Sequence, residues 1–433
     1  MEHPPLPPSY RRNFWCLAMD FCFFGIGMAF FGPSTVVPSF LTALGASTAV
    51  IGLLASLQRA GWLLPQLIAA RYLADKPYKK PFILIPGGIG RAMVLVLALL
   101  VWLLGARNPG LLIAVAVTTM GIFWLADGLA SLAWFDFLSK SVPAHRRGRL
   151  TSIGQTLSGI AGFAAGFGVE WLLSDRGPAF PNNYALLFFI AALMLALSFA
   201  ALSLGRERKG ASVEQVPTWR EYLPQIKRLI ATDHAFRRYL IARQVFNLAT
   251  LAGPFYITYA LDVLHLPDQV AGRYTSVGVI GSIIAALLFG WLNERHGTRL
   301  TCLVSVWVTT AIPVLALLIP RAITNPSWLA WAYGLVFLVN NASMSSYMPG
   351  WTAYVLEWAP EVDLPIYVGV TNTVNGFTAL VSVVGGVLLQ WTGNNYALLF
   401  AITAIGTIAT LPFALTLPEP RDAQRTSVLQ RAD

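Results

Sequence analysis

The sequence predicts an all-α membrane protein with twelve transmembrane helices arranged as two six-helix pseudo-symmetric bundles. Three observations carry that expectation. Of the 433 residues, 56% are hydrophobic and only 12% are charged, with a mean hydropathy of +0.61. Soluble domains carry about 25% charged residues, so half that share places the chain in a bilayer. Second, apolar runs of bilayer-spanning length recur along the whole chain. Third, the second half repeats the first.

Taken in order, the first six runs cover 14–41, 48–70, 81–104, 110–139, 150–173 and 183–205. The second six cover 239–262, 271–292, 300–319, 328–355, 366–390 and 395–417. The bundles are therefore 14–205 and 239–417, preceded by a disordered tail at 1–13 and followed by a tail at 418–433. The first run is longer than a signal peptide and shows no small-residue cleavage site, so it reads as a membrane helix. Between the bundles lies the linker 206–238, which opens on Arg206-Glu207-Arg208-Lys209. Within it, Trp219 to Leu229 alternates charged and apolar residues at near-helical spacing, as an amphipathic helix on the membrane surface would.

The halves align through five features in one order. Gly32-Pro33 pairs with Gly253-Pro254, Val50-x-Gly52 with Val270-x-Gly272, and Trp134 and Pro143 with Trp351 and Pro360. Asn182-Asn183-Tyr184-Ala185-Leu186-Leu187-Phe188 recurs residue for residue as Asn394–Phe400. Six helices duplicated in parallel is an architecture of secondary transporters, whose substrate site lies at the midplane.

Orientation follows from the basic residues. Of 30 lysines and arginines, 23 fall in the tails, the linker and alternate loops, and 4 (Arg107, Arg176, Arg273, Arg321) in the other loops. The positive-inside rule then puts both termini in the cytoplasm of a multi-pass protein of the cell membrane. This also accounts for the net charge of +10 without nucleic acid as a partner. Cys16, Cys22 and Cys302 lie in or beside apolar runs with no metal-ligand spacing, so no metal or cofactor is expected.

Two short charged loops carry more information. Gly290-x-x-x-Glu294-Arg295-x-Gly297-x-Arg299 joins the second and third runs of the second half. A poorer copy, Arg71 to Lys80, occupies the same place in the first half, with Arg71 and Tyr78 where glycines stand in the other copy. Pro143-x-x-x-Arg147-Gly148-Arg149 follows the fourth run. These elements, with the helix count and the duplication, resemble the major facilitator superfamily over residues 13–417. The resemblance implies a permease of unassigned substrate, and a cytoplasmic latch of Asp75, Lys76, Glu294, Arg295, Gly297 and Arg299. Asp136, Lys140 and Arg147 would be its partners in the first half. Lys79 and Lys80 read as charges that set topology.

Charges inside a bilayer are costly and mark function by default. Asp20, Arg59, Arg91, Asp127 and Arg243 all fall within helices. The resemblance places the first, fourth, seventh and tenth helices around the cavity, so Asp20, Asp127 and Arg243 would face it. Asp127 and Asp136 are nine residues apart, about half a turn around a helix, so the two cannot share one face. Arg91 is expected to turn inward and pair with Asp20 or Asp127, either as a structural pair or for proton coupling. Gln58, Gln244, Asn247, Asn340, Asn341, Asn372 and Asn375 are candidate substrate-lining amides, though membrane amides bond neighbouring helices as often as ligands. Glu170 is expected simply to reach the outer interface. Gly162 and Gly166 would admit another helix closely.

The expected function is secondary active transport of a small molecule by alternating access, with proton coupling as a candidate and a monomer as the expected state. A proton-coupled drug or amphiphile exporter of the same fold is the alternative, weakened because no proline lies between Arg149 and Trp171. A polytopic enzyme or a receptor-like relative stands further off. The five histidines are scattered through tails and loops, and no zinc, phosphate-loop or nucleophile-elbow pattern occurs, so the chain is read as a non-enzyme. A reporter enzyme active only in the cytoplasm, inserted in the 206–238 linker, should be active in intact cells. An inactive reporter there would overturn the topology.

Overall fold

The computed structural model describes residues 9–73, 76–209, 219–360 and 364–422, and these are helical with no strand among them. That is the expected consequence of an apolar medium. With no water to bond them, backbone N–H and C=O groups must be satisfied within each segment.

The first half contains α1 (Tyr10–Phe31), α2 (Val36–Ala43), α3 (Thr48–Leu73), α4 (Pro81–Leu104), α5 (Pro109–Ser141), α6 (Ala144–Leu172) and α7 (Asn182–Leu204). The linker region contributes α8 (Trp219–Thr232), covering the stretch read as amphipathic. The second half contains α9 (His234–Phe246), α10 (Phe255–Asp262), α11 (Val270–His296), α12 (Thr298–Ala322) and α13 (Pro326–Ser345). It closes with α14 (Ala353–Trp358), α15 (Leu364–Thr378), α16 (Val381–Trp391), α17 (Tyr396–Ile408) and α18 (Leu411–Leu415).

Eight segments among the described residues are long and apolar enough to cross a membrane. The other expected runs fall on α3, α6, α9–α10 and α13–α14. These are more polar or broken: α3 carries Gln58, Arg59 and Gln66, while α9 and α10 have only 13 and 8 residues.

The repeated Gly-Pro steps are helix breaks. Gly32 ends α1 with φ of 51°, a left-handed value that a side chain disfavours, and Pro33 cannot continue the helix. At the matching place α9 passes into a 3₁₀ turn, Asn247–Leu251, and α10 starts after Gly253-Pro254.

The chain forms two compact units. One comprises residues 1–47, 54–216 and 267–276, the other 48–53, 217–266 and 277–433. In the first, α1 packs on α6 and α7, and α4 on α5 and α7. Its core gathers Leu17, Ala18, Ala133, Phe137, Val142 and Leu150. In the second, α12 packs on α13 and α17, and Phe236, Tyr239, Phe246, Trp351 and Tyr354 form an aromatic core.

The duplicated Val-x-Gly steps also gain a physical reason. Within the second unit a Cβ on Gly52 would strike the Ser382 carbonyl, and within the first a Cβ on Gly272 would strike the Glu170 backbone. Both glycines let one backbone approach another. Beside Gly272, Ser276 Oγ donates to the Phe163 carbonyl at 3.0 Å, and Gly166 lies against Ser276. Glu170 does more than reach the interface, because its carboxylate accepts from Arg273 at 2.6 Å.

Candidate transport site and its charge clusters

In the first unit the in-membrane charges form one knot. Asp20 on α1 is 5% exposed and accepts from Trp134 Nε1 on α5 at 2.8 Å and from Ser198 Oγ on α7 at 2.6 Å. Arg91 on α4 turns to it, with Nη2 3.9 Å from Asp20 Oδ1. The rest of the guanidinium is also engaged: Nη2 donates to Ser198 Oγ, Nη1 to the Gly87 carbonyl and Nε to the Leu195 carbonyl. Phe24 and Phe199 flank it at 5.9 and 6.0 Å. Asp20 is thus committed to α4, α5 and α7. Asp127 and Arg59 are half-buried and make no hydrogen bond to a described residue.

The second unit is built differently. Its helices are interrupted at four places: the 3₁₀ turn after Phe246, a π turn at Tyr347–Thr352 between α13 and α14, the break between Thr378 and Val381, and the break between Ile408 and Leu411. Pro349 has no N–H to extend the α-helical ladder through the π turn. Asn293 Nδ2 donates to its carbonyl.

The expected lining amides meet at these breaks. Asn375 Oδ1 accepts from Gln244 Nε2 at 3.2 Å and from Asn247 Nδ2 at 3.0 Å. Asn247 Nδ2 also donates to Thr378 Oγ1 at 2.9 Å, and Tyr347 OH donates to Asn247 Oδ1 at 3.3 Å. Irregular backbone at membrane depth is tolerated where it lines a cavity or is buried in protein, and broken helices build transporter sites.

Not every amide joins. Asn341 donates back to the Phe337 carbonyl and packs against Gly278. Asn372 is exposed, and Asn340 is half-buried with no hydrogen bond to a described residue. Thr378 and Tyr347 are functional candidates that residue type alone did not single out. Their signal was placement beside helix breaks, and the π turn was not legible.

Arg243, at the end of α9, is 5% exposed and has no ion-pair partner among the described residues. Its Cζ lies 4.0 Å from the Tyr347 ring centre, 5.3 Å from Trp351 and 5.8 Å from Phe246. Its Nε and Nη1 have no hydrogen-bond acceptor, and neither has Gln244 Oε1 a donor.

At the predicted cytoplasmic ends, two acids that the motifs did not mark act as hubs. Glu207 accepts the backbone N–H groups of Lys79 at 2.6 Å and Lys80 at 2.8 Å, where α4 begins. Glu419 accepts those of Thr298 at 3.3 Å and Arg299 at 3.0 Å, where α12 begins. An anion at a helix N-terminus meets unsatisfied donors and the positive end of the dipole. Glu207 and Glu419 stand at the same separation as the two Asn-Asn-Tyr-Ala-Leu-Leu-Phe copies, so this contact is part of the duplication. It was hidden because Glu207 sits inside a run of basic residues.

Around Glu207, Lys79 Nζ bonds Asp136 at 2.9 Å, and Lys140 pairs with Asp136 and, at 3.5 Å, with Glu207. Lys80 Nζ donates to the Ser203 and Gly205 carbonyls, each at 2.6 Å. Lys79 and Lys80 are therefore members of the cluster, beyond the topology role expected of them. Burial pushes the Lys80 ammonium below its usual pKa, against the pull of Glu207. Arg147 donates instead to the Ser139 and Val142 carbonyls at the end of α5. Lys76 lies 5.5 Å from the Tyr72 ring, and Asp75 lies outside the described residues.

In the second unit the cluster is made of Glu357, Glu419 and Arg421. Arg421 bonds Glu357 at 2.9 Å and Asn293 Oδ1 at 2.6 Å. Glu294 and Arg295 are exposed and stand apart from it: the Glu294 side chain has no described partner, and Arg295 lies 5.6 Å from the Trp291 ring. Gly297, with φ of 88°, holds a conformation disfavoured for other residues, and a Cβ there would meet the Glu419 carboxylate. Arg299 donates its Nη2 to the Leu415 carbonyl at 2.7 Å.

Replacing Glu207 or Glu419 by Gln should lower stability by about 1 kcal/mol each, read as a drop in thermal midpoint in detergent. Equal midpoints would remove the capping role. Asp20→Asn removes the carboxylate paired with the buried Arg91 charge and should cost about 3–5 kcal/mol. A double-mutant cycle with Arg91→Gln should show strong coupling, and additive losses would mean the two charges are independent.

The profile of the Major Facilitator Superfamily matches residues 240–432. Among curated proteins, Uncharacterized protein Mb2232 of Mycobacterium bovis and Uncharacterized protein Rv2209 of Mycobacterium tuberculosis are each 25% identical over 318 residues. That match takes in 71% of this chain but spans only 58% of the length of either relative. Among solved structures, a POT family transporter in complex with a thioalcohol-conjugated peptide aligns with a TM-score of 0.70 at 10% identity, covering 95% of this chain and 99% of that one. A D-xylose-proton symporter aligns at 0.64 and 15% identity over 95% and 99%. The nucleoside transporter NupG aligns at 0.65 and 13% over 94% and 99%. The chain carries the fold of the Major Facilitator Superfamily and resembles its transporters by sequence over residues 240–432.

Proposed function

We propose that the protein is a secondary transporter that moves a small molecule across a cell membrane by alternating access, through twelve spans with both termini in the cytoplasm. The observation that carries this reading is the amide cluster of Gln244, Asn247 and Asn375 with Tyr347 and Thr378, set where three helices of the second unit are broken. Breaking membrane helices and then lining the breaks with hydrogen-bonding groups serves recognition of a solute better than it serves packing. The fold likeness to a POT family transporter, a nucleoside transporter and a D-xylose-proton symporter supports the class but not a substrate.

For coupling, we assign Asp127 the better claim over Asp20. Asp20 is held by hydrogen bonds from Trp134 and Ser198 and by Arg91, whereas Asp127 makes no hydrogen bond to a described residue and meets Arg91 only electrostatically. A group that takes up and releases a proton in each cycle needs that freedom. The clusters at Glu207 and at Glu419 would serve as inner latches that loosen and reform as access alternates.

The test is uptake into proteoliposomes of candidate amino acids, peptides, nucleosides and sugars, with and without an inward proton gradient. Asp127→Asn should lose the stimulation by the gradient while retaining exchange. Gradient-driven uptake unchanged in Asp127→Asn would refute coupling at that residue, and absence of transport for every class would refute the transporter reading.

A further inference from the structure

The guanidinium of Arg243 is 5% exposed and has no ion-pair partner among the described residues. It is buried in an aromatic pocket, and two carboxylates of the same unit are already taken. Asp233 accepts from Trp358 Nε1 at 2.9 Å, from Tyr367 OH at 2.7 Å and from the Phe236 N–H at 2.8 Å. Glu419 is held by the N-terminus of α12. The Tyr347, Trp351 and Phe246 rings offer their π faces, which stabilise a cation but accept no N–H in its plane. Nε and Nη1 therefore keep donors with no acceptor, and the next residue, Gln244, has an Oε1 that lacks a donor. Buried polar groups are nearly always satisfied, and an orphaned pair of this kind next to a recognition cluster is the imprint of a missing partner.

We propose that Arg243 is the anchor of a binding site for the carboxylate of a small monocarboxylic acid with a flat apolar body and a hydrogen-bond donor. This rests on the transporter reading and names its substrate class. A carboxylate engages a guanidinium through paired, charge-assisted N–H···O bonds, which lysine cannot match. A single cation with no second base beside it suits a monoanion better than a phosphate. Tyr347, half-buried over the guanidinium, presents aromatic surface for the body of the ligand, with Trp351 and Phe246 backing it from the core, and Gln244 Oε1 awaits a hydroxyl or amine. Tyr347 joins the two parts, since it stacks on Arg243 and donates to Asn247 in the amide cluster.

The test is calorimetric titration of the purified full chain in detergent with 4-hydroxyphenylacetate and with its neutral analogue, 4-hydroxyphenylacetamide. The acid should bind at least tenfold more tightly than the amide. Arg243→Lys should weaken the acid about tenfold, and Arg243→Gln should abolish the preference for the acid. Equal affinities for acid and amide in the unmodified protein, or binding of neither, would overturn the proposal whether or not the variants fold. Because binding is read without transport, loss of the acid preference is distinguishable from failure of the transporter reading itself.

Discussion

The need to satisfy charge and backbone polarity away from water governs this molecule. A chain so apolar places nearly all of its ionisable groups at helix ends, and each exception inside a helix has to be compensated locally. The first unit does so for Asp20 and Arg91, while Arg59 and Asp127 make no hydrogen bond to a described residue. Asp20 and Arg91 are tied to each other and to Trp134, Ser198 and two carbonyls across four helices. Such a knot orients helices at a desolvation cost that its hydrogen bonds offset. The second unit leaves Arg243 with aromatic faces alone.

This asymmetry is instructive because it departs from a symmetric plan. The duplicated tryptophans, Trp134 and Trp351, each sit beside a buried charge. Trp134 donates to Asp20, whereas Trp351 donates to Ser305 Oγ and stands against Arg243. The helices around Trp134 are continuous, while those around Trp351 are interrupted. One unit packs around its ion pair, and the other has irregular backbone beside a buried guanidinium with open donors.

At the helix ends the two units are more alike. Glu207 and Glu419 each close a unit by returning from its last helix to the N-terminus of α4 or α12. The surrounding bases and acids are exchanged among different positions, so Lys79 and Lys140 in one unit do the work of Arg421 in the other. The backbone donors are preserved because helix geometry supplies them whatever the sequence. The side chains that neutralise the acid are free to drift.

Helix positions and the internal duplication were legible in the chain because each depends on local composition, whereas the Gly-Pro steps were visible as repeats inside continuous runs and not as the helix breaks they are. The pairing of Arg91 with Asp20 was foreseeable in kind, since an arginine in lipid must find an acid. Its choice of Asp20 over Asp127 came from the rotation of α1 and α4 against α7, where Ser198 and the Leu195 carbonyl complete the site. The hub role of Glu207, the π turn at Tyr347–Thr352 and the isolation of Arg243 were not legible. Each depends on which side chains arrive from elements far apart in sequence. The sequence by itself determined that this chain is a duplicated bundle of membrane helices, because hydrophobicity and periodicity act over a few turns. Only the tertiary structure decided which charges are neutralised and which donors are left open, because partnership is a matter of ångströms between separate helices.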